Sequence, residues 1–423
     1  MLSKYIPKHF AQAMIKHVVA VSLFFPYVYS ARENLYYQDF ILANFFAVLA
    51  MIFIFTSWKL DLRKNGILLA GMGILLIAYN VCFTYMNYHY HHWYGEQINT
   101  TIIFLFFMVL LMVKDVHALI DNNVIRSIIH MMVITNVLAI GYRLITNQNR
   151  ILIMNNYVRL DKFTDEVSAP QYSWLYIHKS QYALILVLCI AFCVVYRKLF
   201  RNVFTYLLSL GVLIFALYLS DTYTSMAAAT LIFIGQFLDY LWKAKWWKKL
   251  ISFLGFGIPG ILFCLKLLNT INKNRNILTL GSRNSIWKAS IELISNNANG
   301  MINFNFGVDT FYCARIPSGW PFDSYNCHNV FLNQMFRFSI IVGGLFTLLF
   351  LTIFLFSFKR NFSFTTIFIE ISLFIPLCMD NAMTNIELSL FIPSLFILFF
   401  NNPNNINKKP VMLNKSTSNR DDG

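Results

Sequence analysis

Charge is scarce in this chain, and acidic charge most of all. Only 13% of its 423 residues are charged, and Lys plus Arg outnumber Asp plus Glu by 34 to 19. Hydrophobic residues make up 57%, Phe alone contributes 42, and the mean hydropathy is +0.56. That composition cannot cover a soluble globule of this length with polar surface. Glycine is sparse too, at 17 residues. The alternating strands of roughly ten residues, separated by turn residues, that a membrane β-barrel needs are missing. Also absent are GxxxxGK[ST], HExxH, CxxC and Asp-x-Asp. Nucleotide-driven transport and metal-activated transfer from a sugar nucleotide lose their usual residues.

What is present is a series of apolar runs, at about 11–30, 39–58, 67–86, 99–113, 127–145, 178–196, 203–220, 225–242, 250–268, 333–357, 362–380 and 386–400. A helix crossing the hydrocarbon core needs roughly 20 apolar residues. The reading is an all-α, polytopic integral membrane protein with about twelve transmembrane helices. Residues 1–268 hold the first nine, with a medium loop at 146–177. A large loop follows at 269–332, three helices at 333–400, and a polar, Asn-rich tail at 401–423 that reads as disordered. The first run lacks a small-x-small cleavage site, because Tyr27 and Tyr29 stand near its end, so an uncleaved helix is expected.

The net charge of +15 is not a nucleic-acid signal, since the basic residues lie in short runs between apolar segments. Lys59 to Lys64, Lys114 to Arg126, Arg197 to Asn202, Lys243 to Lys249 and Phe358 to Asn361 fall in alternate connections. By the positive-inside rule that side, with both termini, is cytoplasmic. The long loops at 146–177 and 269–332 then lie outside, and long loops of this kind tend to carry function.

Cys82, Cys189, Cys193, Cys264 and Cys378 fall within spans and act as small hydrophobes, whereas Cys313 and Cys327 share the large loop. In an oxidising compartment those two could form a disulfide; otherwise they are two loop thiols. The cluster His89 to Trp93 lacks metal-ligand spacing and reads as an interfacial belt, so no metal site is expected. In the large loop, Ile286, Trp287, Ile291, Leu293 and Ile294 recur at the period of an amphipathic helix headed by Arg283. Arg315 follows in the loop, and His328 closes it. A guanidinium suits phosphate oxygens and an imidazole suits proton transfer near neutral pH. Snorkelling for Arg283 and helix capping for His328 are the plainer alternatives. Arg159, with Lys162 and Lys179, lies among Tyr157, Tyr172, Trp174 and Tyr176, which reads equally as a sugar and phosphate surface or as an interfacial belt. Arg337, nine residues after His328, is either a second cation of the site or half of an ion pair holding the bundle, with Asp380 and Glu387 as candidate counter-ions.

The succession "GSRNSIWKASIELI", "NGMINFNFGVD" and "CHNVFLNQMFRFSIIVGGLFTLLF" resembles the signature region of the O-antigen ligase and polymerase superfamily. The matching positions are Arg283 with Trp287, then Gly300 and Gly307, then His328, Asn329, Leu332, Gly343 and Gly344, over about eighty residues. The resemblance implies a C-type glycosyltransferase of the bacterial inner membrane, with no metal or other cofactor. Its substrate would be an undecaprenyl-pyrophosphate-linked glycan at the periplasmic face. Transfer goes to the next repeat unit in a polymerase or to lipid A core in a ligase. A chain-length regulator and a flippase would be its partners beside membrane lipids. Arg283, with Arg315 or Arg159, would bind pyrophosphate, His328 would take the acceptor's proton, and Asn329 would satisfy the helix start or orient the imidazole. Ligases of this kind carry an Arg after a Ser or Thr at the start of the eighth span, where this chain has Ser225 and Met226. That departure favours the polymerase. A flippase, the reading from another class, would place charge deep in many spans and keep its loops short on both sides.

Overall fold

A computed structural model describes residues 2–26, 41–63, 65–90, 95–149, 172–176, 178–262, 265–266, 269, 283–296, 311–314, 321–324, 326–360, 363–380, 382–383 and 385–401. The helices are α1 (Leu2–Phe24), α2 (Ile41–Ser57), α3 (Gly66–Tyr90), α4 (Gly95–Met112), α5 (Val116–Leu119) and α6 (Asn122–Thr146). They continue with α7 (Lys179–Val195), α8 (Val203–Leu219), α9 (Tyr223–Lys243), α10 (Trp246–Ser252) and α11 (Arg283–Asn296). After a hairpin come α12 (Val330–Phe338), α13 (Ile340–Arg360), α14 (Phe364–Met379) and α15 (Asn385–Phe400). Among the described residues the protein is thus almost wholly helical. Five of these helices contain stretches long and apolar enough to cross a membrane, and five shorter apolar helices accompany them. In hydrocarbon a helix is the simplest way to close every backbone hydrogen bond within one segment.

Their ends follow from local chemistry. Asp121 caps α6, its Oδ1 accepting from the N–H groups of Asn123 and Val124 at 2.9 Å, and Asn147 ends it in the left-handed conformation with φ 55°. Asn202 caps α8 by accepting from Thr205 N at 2.8 Å. Ser363 caps α14, and Asp239 at the end of α9 accepts from Phe364 N at 3.0 Å and Thr365 N at 2.9 Å.

α7 is the axis of the bundle, with every residue from Lys179 to Val194 buried among α6, α8, α9, α14 and α15. Ile52, Ile74, Leu207, Leu208 and Leu355 are at least half exposed on the outer helices, as side chains facing lipid would be. The basic connections meet at one end. Lys114 N donates to Lys59 O at 2.9 Å, Asn65 Nδ2 to Leu111 O at 2.8 Å, Asn401 Nδ2 to Ile120 O at 2.9 Å and the Tyr196 hydroxyl to Ile397 O at 2.6 Å. At the opposite end lie the starts of α7, α9 and α15 and the finish of α14.

One expected span is broken, and another carries a π-helical turn. The run at 333–357 is broken at Ser339, whose φ of 104° separates α12 from α13 and folds α12 back on the first turns of α13. Gly343 makes this possible, because a Cβ there would stand 2.3 Å from Met335 N, whereas one on Gly344 would meet nothing within 4 Å. Hydropathy misses the break because α12 carries Phe and Met on its buried side and keeps the apolar run continuous. The run at 250–268 opens with α10 and a π-helical turn, Phe253–Gly257. Within the large loop, strands β1 (Phe311–Ala314) and β2 (Pro321–Ser324) pair antiparallel, Cys313 opposite Phe322, a hairpin that an all-helical reading did not include.

Candidate active site

The site assembles where α7, α11, α12 and α14 meet, at the end opposite the basic connections. α11 lies on α12 through a small apolar cluster of Ile286, Ile294, Cys327 and Phe336, with Trp287, Leu332 and Met335 packed against it. Trp287 Nε1 donates to Cys327 O at 2.9 Å, tying the amphipathic helix to the turn that carries His328. Arg283 is therefore held at the head of α11. Its guanidinium donates to Asp380 at the end of α14, ninety-seven residues along the chain, in an ion pair whose side chains are 14% and 5% exposed.

His328 sits in the left-handed region, with φ 46°, and its N–H donates to Asn326 Oδ1 at 2.9 Å. Only a few per cent of residues other than glycine adopt that conformation. Here it turns the chain between the loop and the cap of α12. The Nδ1 atom of His328 is buried and has no hydrogen-bond partner among the described residues, and neither has Oδ2 of Asp380 nor Oγ of Ser285. Buried polar atoms left unmet are costly in a stable core and are expected where a ligand completes the set.

The electrostatics brings in a residue that the sequence did not single out. Burial, and then the nearby Arg283 charge, lower the His328 pKa to about 4, against the opposing pull of Asp380; His178 lowers it further. His178, which precedes α7, is also lowered, by burial first, with Asp380 acting the other way and Lys179 and Arg283 reinforcing the shift. Both imidazoles are consequently neutral at neutral pH beside a buried guanidinium. The buried Lys179 adjoins them and is tied to Asp221, donating to its carbonyl at 3.0 Å with the carboxylate at 3.8 Å. The pattern "HKSQ" at 178–181 signals a helix start, and nothing in it tells that the start faces Arg283.

Of the residues expected at the site, Arg283 and His328 come together. Three others make hydrogen bonds within the protein. Asn329 caps α12, its Oδ1 accepting from Leu332 N at 2.9 Å, which is the helix-start role. Trp287 holds Cys327 as described. Arg337 donates to Glu96 Oε1 at 2.9 Å and pins α12 to α4, the bundle-holding role. Of the other loop's aromatics, Tyr172, Trp174 and Tyr176 are buried and offer no exposed sugar surface, Trp174 donating to Thr135 Oγ1 at 3.3 Å and Tyr176 to Ser22 O at 3.0 Å, while Tyr157 lies outside the described residues. Arg159, Arg315, Gly300, Gly307 and the tail from 402 onward lie outside the described residues, as does the Cys313 side chain, and with it the Cys313–Cys327 pairing. Cys327 itself is buried. Among the described residues no group of three or more His, Cys, Asp or Glu side chains is placed to hold a metal ion.

No protein-family model matches the chain, and no curated protein matches it. The functional reading therefore rests on the residues and their arrangement.

Proposed function

We propose that the protein is a glycosyltransferase of the bacterial inner membrane, polymerising O-antigen or similar repeat units carried on undecaprenyl pyrophosphate at the periplasmic face. The observation that supports this best is a largely buried Arg283 near a neutral His328, at the end of a helical bundle opposite its basic connections. If those connections are cytoplasmic, with about twelve spans and both termini on that side, the site stands at the outer surface of the membrane. The donor's pyrophosphate lies at that depth and a water-borne sugar reaches it from outside.

In this reading the acceptor hydroxyl oxygen attacks the anomeric carbon of the donor glycan. The bond from that carbon to the pyrophosphate oxygen breaks, and undecaprenyl pyrophosphate leaves with the electron pair. Arg283, oriented by Asp380, stabilises the charge that develops on the leaving group. His328 has a lone pair at neutral pH and receives the acceptor's proton. An incoming dianion offsets the guanidinium that depresses its pKa, so His328 becomes a better base when substrate is bound. Energy comes from the pyrophosphate leaving group, in keeping with the absence of a P-loop motif.

The test is the surface glycan of a deletion strain complemented with His328→Ala. Loss of the long-chain ladder, with the variant protein still abundant in membranes, is the expected outcome. A normal ladder would exclude His328 as the base. The same gel separates polymerase from ligase. Core bearing one repeat unit marks a polymerase, and bare core with lipid-linked polymer marks a ligase.

A further inference from the structure

His178 takes no part in the chemistry above, yet it stands within the same group of charges. It begins α7 in a reciprocal cap: its Nδ1 accepts from Ser180 N at 3.2 Å and its own N–H donates to Gln181 Oε1 at 3.0 Å. An imidazole nitrogen that accepts a hydrogen bond carries no proton, so the neutral ring must hold its proton on Nε2. The helix start thereby fixes the tautomer. Nothing comparable binds Nδ1 of His328, which is buried and unmet among the described residues.

We infer that His178 is a second ligand-facing group of the site, a neutral Nε2–H donor held in one orientation for an oxygen of the leaving polyprenyl pyrophosphate, which leaves proton acceptance to His328 alone. This rests on the pyrophosphate reading above. Three observations support it. The cap consumes the acceptor edge of the ring and leaves only a donor. The charges of Asp380 and Arg283 both act on His178, and His178 acts on His328, so the two rings and the ion pair occupy one neighbourhood. A neutral donor is also the form this neighbourhood tolerates, because an imidazolium would stand beside both Arg283 and the buried Lys179. Such a donor gives direction to a bound anion without a further buried charge.

Two substitutions separate this role from simple capping. His178→Asn keeps a good cap, since an Asn amide stands near the position of Nδ1, but it does not reach the position of Nε2. His178→Gln places an amide N–H near Nε2 and gives up the cap. Full-length protein in detergent is titrated with farnesyl pyrophosphate, with inorganic pyrophosphate as a parallel arm and thermal unfolding recorded for each variant. His178→Asn is expected to unfold like the unmodified protein yet to bind farnesyl pyrophosphate about tenfold more weakly or worse, as when a hydrogen bond to a charged group is lost. His178→Gln is expected to unfold earlier while binding within about threefold of the unmodified protein, since the donor to the charged group survives. Unchanged binding by His178→Asn, or binding that merely follows thermal stability in both variants, would overturn the inference. Failure of the unmodified protein to bind farnesyl pyrophosphate, or binding of inorganic pyrophosphate alone, would remove the lipid pyrophosphate as the ligand. His178-dependent binding in a protein whose deletion leaves the glycan ladder intact would instead refute the polymerase reading and retain the donor role.

Discussion

The two ends of the bundle both contain buried or half-buried carboxylates, and they use them differently. At the basic end Asp239 has both oxygens engaged, accepting from two backbone N–H groups and from the Thr365 hydroxyl at the head of α14. Its role closes locally, as a helix cap. At the other end Asp380 gives one oxygen to Arg283 and leaves the other buried and unmet, next to two neutral imidazoles. Asp239 is saturated by the helix that it caps, whereas Asp380 keeps one oxygen open beside Arg283 and the two imidazoles. Arg337 and Glu96, at the same end, form a third kind of pair, 40% and 19% exposed, which joins two helices at the rim.

The largest effect should come from the chemistry. His328→Ala is expected to lower transfer by roughly 10²–10⁴-fold, the usual loss on removing a general base, read as the rate of glycan extension in membrane vesicles. The sign of its pH dependence is fixed. His328 must be neutral to accept a proton, so kcat/KM should rise through about pH 4, its pKa in the unliganded protein. Because that pKa is lowered relative to the unfolded chain, the unfolded state binds more protons between the two values. Stability should accordingly fall as pH drops from the ordinary histidine range to about 4, and an acid titration of His328→Gln should show less of that loss.

Next comes Asp380→Asn, which leaves Arg283 buried without its counter-ion and should cost about 3–5 kcal/mol of stability, measured by denaturant unfolding in detergent together with loss of transfer. A stable, active Asp380→Asn protein would erase the distinction between the two ends. Gly343→Ala drives a methyl into the Met335 backbone and should cost about 1–3 kcal/mol by displacing α12, whereas Gly344→Ala should be silent. Asp239→Ala is expected to cost about 0.5–2 kcal/mol, as loss of a helix cap, with transfer unchanged; a large loss of activity there would show that the basic end also takes part in function. Glu96→Gln should be the mildest, at roughly 0–1 kcal/mol for a solvent-screened pair, visible only in a careful comparison of melting curves.

Much of the fold is legible in the sequence because its causes are local. Apolar runs, caps such as Asp121 and Asn202, and the period of Ile286, Trp287, Ile291 and Ile294 each act within a few residues. Arg283 and His328 could be singled out because Arg heads an amphipathic helix and His closes the loop after it. The partition of the polar residues was not legible. Trp287, Asn329 and Arg337 have the chemistry of ligand contacts, and only their neighbours show that they hold the backbone of Cys327, the start of α12 and the edge of α4.

The amino-acid sequence alone determined that this is a helical, membrane-embedded chain, since hydropathy and backbone hydrogen bonding in hydrocarbon permit little else. It also singled out Arg283 and His328 as the candidates for a site. Tertiary structure alone decided that Asp380 is the partner of Arg283, that Ser339 breaks an apparently continuous span, and that His178, at the start of α7, feels the charges of that ion pair. The first and last of these depend on residues about one hundred to two hundred positions apart, and electrostatics and hydrogen bonding act through space over a few ångströms, regardless of separation along the chain.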